Sequence, residues 1–111
     1  MLDGLVSRLE HYMDLVSARQ TLVASNVPNA DTPGYKTKDL DFQTEFLSQS
    51  EGAAPRAIEG AGLKTRNDGN NVSLDREARL LAENALRFNV ASSLLRSEIA
   101  AMKSAIQEGR P

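Results

Sequence analysis

The stretch LDREARLLAENALRFNVASSLLRSEIAAMKSAIQ, residues 74–107, decides the fold of this 111-residue chain. Its apolar and small side chains recur at alternating steps of four and three residues, the spacing of one helix face and of a coiled-coil seam. The repeat runs without a slip for more than four heptads. We therefore predict one helix over residues 73–108, roughly 50 Å long at 1.5 Å per residue. The repeat consists of Leu74, Ala78, Leu81, Ala85, Phe88, Ser92, Leu95, Ile99, Met102 and Ile106.

Both ends of this predicted helix carry helix-end signals. Ser73 is a favoured N-cap residue, and Asp75 and Glu77 place negative charge in the first turn, where the helix dipole stabilises it. Gly109 and the terminal Pro111 end the pattern.

A second amphipathic helix is predicted at the N-terminus, over residues 1–27. Its apolar residues follow the same spacing, with Arg19 as the one polar interruption. Pro28 ends it, because the residue before a proline is pushed away from the α region. This helix is too short to cover the C-terminal one, so part of the longer helix needs another partner. Its main row is Leu2, Leu5, Leu9, Tyr12, Val16 and Val23, beside a parallel row of Val6, Met13 and Val27.

The middle of the chain, residues 28–72, has the composition of turns and loops. Four of the seven glycines lie between Ser50 and Asn71. We expect extended and irregular structure there, with at most a short β-hairpin around residues 57–65. The predicted fold is therefore mainly α: one domain, in which the terminal helices form an antiparallel coiled coil and the middle segment projects from one end.

The composition speaks against several classes of site. Thirteen basic and fifteen acidic side chains give a formal charge of -2, which offers no electrostatic case for nucleic acid. There is no cysteine for a disulfide or thiolate metal site, and the one histidine, His11, lacks a second metal-ligating partner. The carboxylates Asp39, Asp41 and Glu45 lack a second type of catalytic group, so they favour a charged surface. We predict no catalytic site, no metal and no cofactor.

Residues 25–36, which read SNVPNADTPGYK, form a helix exit followed by a tight turn. Pro33 presets the backbone for the first central position of a β-turn, and Gly34 supplies the positive φ that the second central position of a type II turn requires. The short polar side chains before them can bond the local backbone. Tyr35 offers a ring that can be half buried while its hydroxyl stays in water.

This segment resembles the signature of the flagellar rod, hook and related axial proteins, in which an N-terminal helix leads into Asn-x-x-Asn-x-x-Thr-Pro-Gly-Tyr. The resemblance continues through residues 38–42, 68–72, 81–88 and 99–109. It points to the small proximal-rod proteins, because the larger axial subunits carry inserted domains that 111 residues cannot hold. The run AENALRF favours one proximal-rod family over the FlgC family, which stays as an alternative. The matching signature residues are Asn26, Asn29, Thr32, Pro33, Gly34 and Tyr35.

The resemblance implies a structural subunit of the proximal rod, which carries torque from the motor to the hook. We expect it to polymerise helically through its terminal helices, in contacts that do not close. The implied partners are copies of itself, FlgC-like and distal-rod subunits, a FliE-like adaptor and the export gate. We call the expected contact residues the assembly seam: Leu2, Leu5, Leu9, Tyr12, Val16, Val23, Leu74, Leu81, Phe88, Leu95, Ile99, Met102 and Ile106.

The implied location is the periplasmic rod of the basal body. The N-terminus lacks the basic and apolar regions of a cleaved signal peptide, and export through the flagellar type III apparatus would not need one. No stretch approaches the roughly 20 apolar residues of a membrane span.

Two other classes of protein remain as alternatives. A free-standing coiled-coil adaptor or regulator would form a discrete dimer or tetramer and would not need the Thr-Pro-Gly-Tyr turn. A small hydrolase or metal enzyme is the least favoured, because the chain has a single histidine and no cysteine.

Overall fold

The computed structural model describes residues 2–48 and 54–109, without the side chains of Leu2 and Asp3. Two long helices dominate it, α1 and α3, and between them lie a short helix and a two-stranded antiparallel sheet. A single 3₁₀ turn, Val27–Asn29, follows α1. The elements are α1 (Leu2–Asn26), β1 (Lys38–Leu40), α2 (Phe42–Ser48), β2 (Ala57–Glu59) and α3 (Leu74–Glu108).

The two long helices pack side by side and run antiparallel, as predicted. In the second half of α1, Gln20 bonds Asn84 of α3, and at the end of α1 Asn26 bonds Glu77. A later residue of α1 therefore contacts an earlier residue of α3. The same register puts the start of α1 opposite about Met102, and the last residues of α3 extend beyond it. The predicted mismatch in helix length is confirmed.

The ends of α3 are also as predicted. The side chain of Ser73 accepts a hydrogen bond from the Arg76 amide at 3.2 Å, and Gly109 donates its amide to the Ala105 carbonyl at 3.1 Å. No described helix combines the length and the apolar composition that a membrane crossing requires.

The core lies between the helices and the middle segment. Val16 and Val23 of the assembly seam are almost fully buried, and so is Leu15, which the sequence pattern did not select. Leu15 lies between His11 and Arg19 on one face of α1, since residues four apart are neighbours on a helix. His11 contacts α2 and Arg19 contacts β1, so the middle segment covers Leu15.

The expectation that the middle segment projects from one end is therefore wrong for its described part. The segment folds back along α1. Tyr12 packs edge-on against Phe42 and Phe46 of α2, with ring centroids 5.4 and 6.0 Å apart. The helix α2 was not predicted, although Asp41 caps it by accepting a hydrogen bond from the Thr44 amide at 3.2 Å.

The expected hairpin around residues 57–65 is also wrong. A strand does form at residues 57–59, but its partner is β1, in the register Lys38↔Glu59, Asp39↔Ile58 and Leu40↔Ala57. Residues 63–66 are not a strand, because the backbone there turns towards the next loop: Arg66 donates its amide to the Asn70 carbonyl at 2.8 Å.

Candidate assembly corner and exposed helix faces

Asn26, the last residue of α1, joins four parts of the molecule. Its amide nitrogen donates to the Lys38 carbonyl at 2.8 Å and to Glu77 Oε1 at 3.1 Å. Its amide oxygen accepts from the Lys38 amide and the Tyr35 hydroxyl, both at 3.0 Å. The side chain is fully buried and uses its whole hydrogen-bonding capacity. It therefore fixes α1, the turn, β1 and α3 relative to one another.

The turn after α1 closes on itself through the predicted short polar side chains. Asn29 donates to the Ser25 carbonyl at 2.9 Å, and Thr32 donates its hydroxyl to Asn29 Oδ1 at 3.0 Å. Gly34 has a φ of +75°, so the predicted left-handed position is confirmed. Tyr35 is half-buried, but its hydroxyl donates inward to Asn26 rather than to water.

A loop from the other end of the middle segment, residues 66–72, locks onto this turn. Asn70 is fully buried and donates to the Asn29 and Thr32 carbonyls, each at 2.8 Å. Asn71 Oδ1 accepts the Thr37 amide at 2.6 Å. These two asparagines were missed as site residues, and the available signal was the turn-forming run DGNN at 68–71. We call the turn (26–37) together with this loop the corner.

Two glycines allow the loop to approach the turn closely. Gly34 donates its amide to the Asp68 carbonyl at 2.9 Å. Gly69 has a φ of +84°, and a Cβ there would lie 3.3 Å from Gly34 Cα. A side chain at position 69 would therefore strain both the backbone and the contact.

A buried charge cluster binds β1 to both long helices. Arg19 holds the two carboxylate oxygens of Asp39 at 2.9 Å each, and Arg76 of α3 also bonds this carboxylate. Burial on its own would raise the pKa of Asp39. The Arg19 hydrogen bond, the Leu40 amide and the two arginine charges outweigh it and hold that pKa below its usual value. Arg76 bonds Glu77 Oε1 at 2.9 Å, while Glu77 Oε2 is buried with no bond from the described residues.

Most of the assembly seam on α3 does not face α1. The buried residues of α3 are Glu77, Leu80, Asn84 and Ala91, each one residue before a position of the predicted repeat. One residue is about 100° around a helix, so the repeat forms an exposed flank beside the contact. Leu95 and Met102 are half-buried. Exposure ranges from 39% to 62% for the others: Leu74, Leu81, Phe88, Ile99 and Ile106.

On α1 the described seam residues become more exposed with distance from the corner. Leu9 and Tyr12 are half-buried, and Leu5 is 42% exposed at the end far from the corner. The side chain of the predicted seam residue Leu2 lies outside the described residues.

The opposite flank of α3 carries a second apolar row that the sequence analysis did not select. Leu86, Val90 and Leu94 are more than half exposed and follow one another at steps of four. Val90 and Leu94 line a shallow depression with Asn89, Ser93 and Ser97. The helix is thus apolar towards α1 and on both sides of it.

The described residues include no group of three or more histidine, aspartate or glutamate side chains that could hold a metal ion. No protein-family model matches the chain. Curated relatives do match over nearly its whole length. The flagellar basal body rod protein FlgB of Escherichia coli K12 is 30% identical, covering 98% of this chain and 99% of the relative. The chain belongs to the FlgB family of flagellar basal body rod proteins.

Other FlgB relatives agree. FlgB of Salmonella typhimurium LT2 is 28% identical, with 98% of this chain and 99% of the relative covered, and FlgB of Cereibacter sphaeroides is 32% identical, with 84% and 86% covered. Of the two proximal-rod families considered from the sequence, the relatives identify FlgB rather than FlgC. In this FlgB-family chain, hydrogen bonds bring five of the six signature residues together at the corner, while Pro33 lies exposed in the turn.

Proposed function

We propose that this chain is a structural subunit of the proximal rod, and that it polymerises helically through the exposed flanks of α3 and the free part of α1. The observation that carries the proposal is the apolar character of α3 on three sides, of which α1 covers one. A helix whose apolar residues extend beyond the side that its partner covers leaves apolar surface for further neighbours. Apolar area removed from water contributes about 25 cal/mol per Å², so the two free flanks favour association.

The surface area supports this proposal. The chain exposes 7560 Å², whereas a compact monomer of 12.1 kDa exposes about 6000 Å². The excess is comparable to what contacts with two neighbours would cover, at about 800 Å² on each partner. Different flanks of one helix contact different neighbours in this arrangement. Such heterologous contacts continue into a helical array instead of closing into a discrete oligomer.

The corner has a separate role in this proposal. It holds α1, β1 and α3 at fixed angles through buried hydrogen bonds. A rotation of the helices therefore also rotates the middle segment. This rigidity suits a rod that transmits torque from the motor to the hook. The partners are copies of this chain, FlgC-like and distal-rod subunits, a FliE-like adaptor and the export gate. The location is the periplasmic rod, reached through the flagellar type III apparatus.

The test of this proposal places a charge on the exposed flank of α3 that the assembly seam forms. Leu81→Asp should leave the isolated protein folded, because Leu81 is 49% exposed in the monomer. A charge in a desolvated contact is costly, so the variant should fail to enter rods and should not restore swimming to a strain that lacks the gene. Gln43→Asp adds the same charge at an exposed polar position of α2, outside both flanks of α3, and should restore it.

Circular dichroism of both variants separates misfolding from failed assembly. Normal rods and normal swimming with Leu81→Asp would overturn the proposal. A discrete dimer or tetramer of the wild-type chain, unchanged by Leu81→Asp, would favour the free-standing adaptor instead.

A further inference from the structure

The side of α3 that packs against α1 carries buried polar side chains within its contact. Asn84 is 3% exposed and donates to Gln20 Oε1 at 2.9 Å. One heptad earlier on α3, Glu77 is fully buried and accepts from Asn26. Near the level of Asn84, the exposed flanks carry Leu81, Leu86 and Phe88.

Such polar pairs are poor sources of stability. A leucine pair of similar volume in their place is often neutral or stabilising, whereas one partner left alone in an apolar contact is costly. A buried polar residue in a coiled-coil seam can instead specify register and partner. That role fits α3, because apolar residues on its flanks could also pack against α1.

We propose that Gln20 and Asn84, together with Asn26 and Glu77, determine which face of α3 receives the α1 of the same chain. α1 docked on a leucine flank, or on a flank of another copy, would bury Gln20 without a partner. The pairs therefore keep α1 on its own face and leave both flanks free for neighbouring subunits. The biological purpose of this selection rests on the proposed function, but the selection itself is a property of the isolated chain.

The Gln20–Asn84 pair is the better one to test, because Asn26 also bonds Lys38 and Tyr35 at the corner. In Gln20→Leu/Asn84→Leu both polar groups are replaced, so neither is left buried alone. The double variant should fold at least as stably as the single variant Asn84→Leu, which strands Gln20. Gln107→Leu introduces a leucine at an exposed position of α3 beyond the end of α1 and serves as the matched control.

Engineered disulfides report where α1 sits, because the chain contains no native cysteine. Met13 and Ala91 are each one heptad from the Gln20–Asn84 pair, so cysteines at both positions report the native face. Met13→Cys with Ser92→Cys reports the seam flank, and disulfide-linked dimers report docking on another copy. Each reporter pair is introduced into the wild-type, double-leucine and control backgrounds and oxidised at low protein concentration.

In the wild-type and Gln107→Leu backgrounds the native-face disulfide should dominate. In the double-leucine background, its ratio to the flank and intermolecular products should fall about tenfold, the scale that one buried polar group controls. Swapping the pair, as Gln20→Asn/Asn84→Gln, should restore it.

A double-leucine protein that is as monomeric and as selective as the wild type overturns the inference, and so does one that does not fold. Rod assembly plays no part in these measurements. Their failure would therefore leave the proposed function untouched, and a failure of the Leu81→Asp test would leave the face selection standing.

Discussion

At the residue scale, Gly69 shows how much the corner depends on close backbone contact. Gly69→Ala should lower the free energy of unfolding by about 1–2 kcal/mol, because alanine at a positive φ is strained and its Cβ would crowd Gly34. Gly4→Ala is the matched control, since a Cβ there meets nothing within 4 Å and alanine favours a helix. Urea denaturation should give opposite signs for the two changes. Equal effects would contradict the described geometry of the corner.

The ionised carboxylate of Asp39 should make the free energy of unfolding depend on pH. Its pKa is lower in the folded chain than in the unfolded chain, so folding is stabilised above the unfolded pKa of about 3.9 and this contribution is lost as pH falls through the folded pKa. Asp39→Asn removes the titrating group. The wild type should therefore lose more stability than the variant between about pH 5 and pH 2.

The measurement is the urea midpoint of both proteins across that range. Asp31→Asn is the control, because Asp31 is an exposed aspartate outside the charge cluster. Parallel pH profiles for the wild type and Asp39→Asn would contradict the prediction that the ionised Asp39 carboxylate stabilises the fold.

Individual residues also show where sequence reasoning reaches its limit. Gly34, Ser73 and Gly109 were predictable, because turn and cap geometry is local and selects few residue types. The roles of Asn70 and Asn71 depend on contacts with residues about forty positions away, which no local pattern encodes. The same holds for Leu15, whose burial depends on how the middle segment folds back.

At the scale of elements, the two long helices and their antiparallel pairing followed from periodicity, but the face that α3 turns to α1 did not. A strict heptad repeat drifts by about 20° per heptad on a straight helix, and α3 is apolar on three sides. Periodicity therefore identifies an apolar helix without saying which side its own partner covers. The strand partner of β2 was likewise out of reach, because it lies before α2 in the chain.

The attachment of α2 gives a prediction at this scale. Phe46 stacks on His11, with ring centroids 5.9 Å apart, and meets Tyr12 edge-on. Phe46→Ala should cost about 1–2 kcal/mol and should release α2 locally, with faster amide exchange in α2 and little change in α3. Leu47→Ala, on the exposed side of α2, should stay within about 0.5 kcal/mol of the wild type. Unchanged exchange in α2 after Phe46→Ala would mean that the aromatic contacts do not hold it.

At the scale of the whole molecule, the shape is that of a part rather than a complete globule. The chain measures 72 × 25 × 18 Å, with a radius of gyration of 18.2 Å, against about 13 Å for a compact domain of 100 residues. Its longest helix extends past its only long partner and is apolar on both free flanks. Neighbouring subunits would cover those flanks and the overhanging end together.

The most direct test of this account is amide hydrogen exchange on α3, measured in the isolated chain and again in assembled rods. Local stability follows the packing around each segment, so the first half of α3, beside the corner, should be protected in both states. Residues 99–108 should exchange rapidly in the isolated chain and become protected in the rod. Full protection along all of α3 in a monodisperse monomer, with no gain on assembly, would contradict the claim that neighbouring subunits complete this molecule.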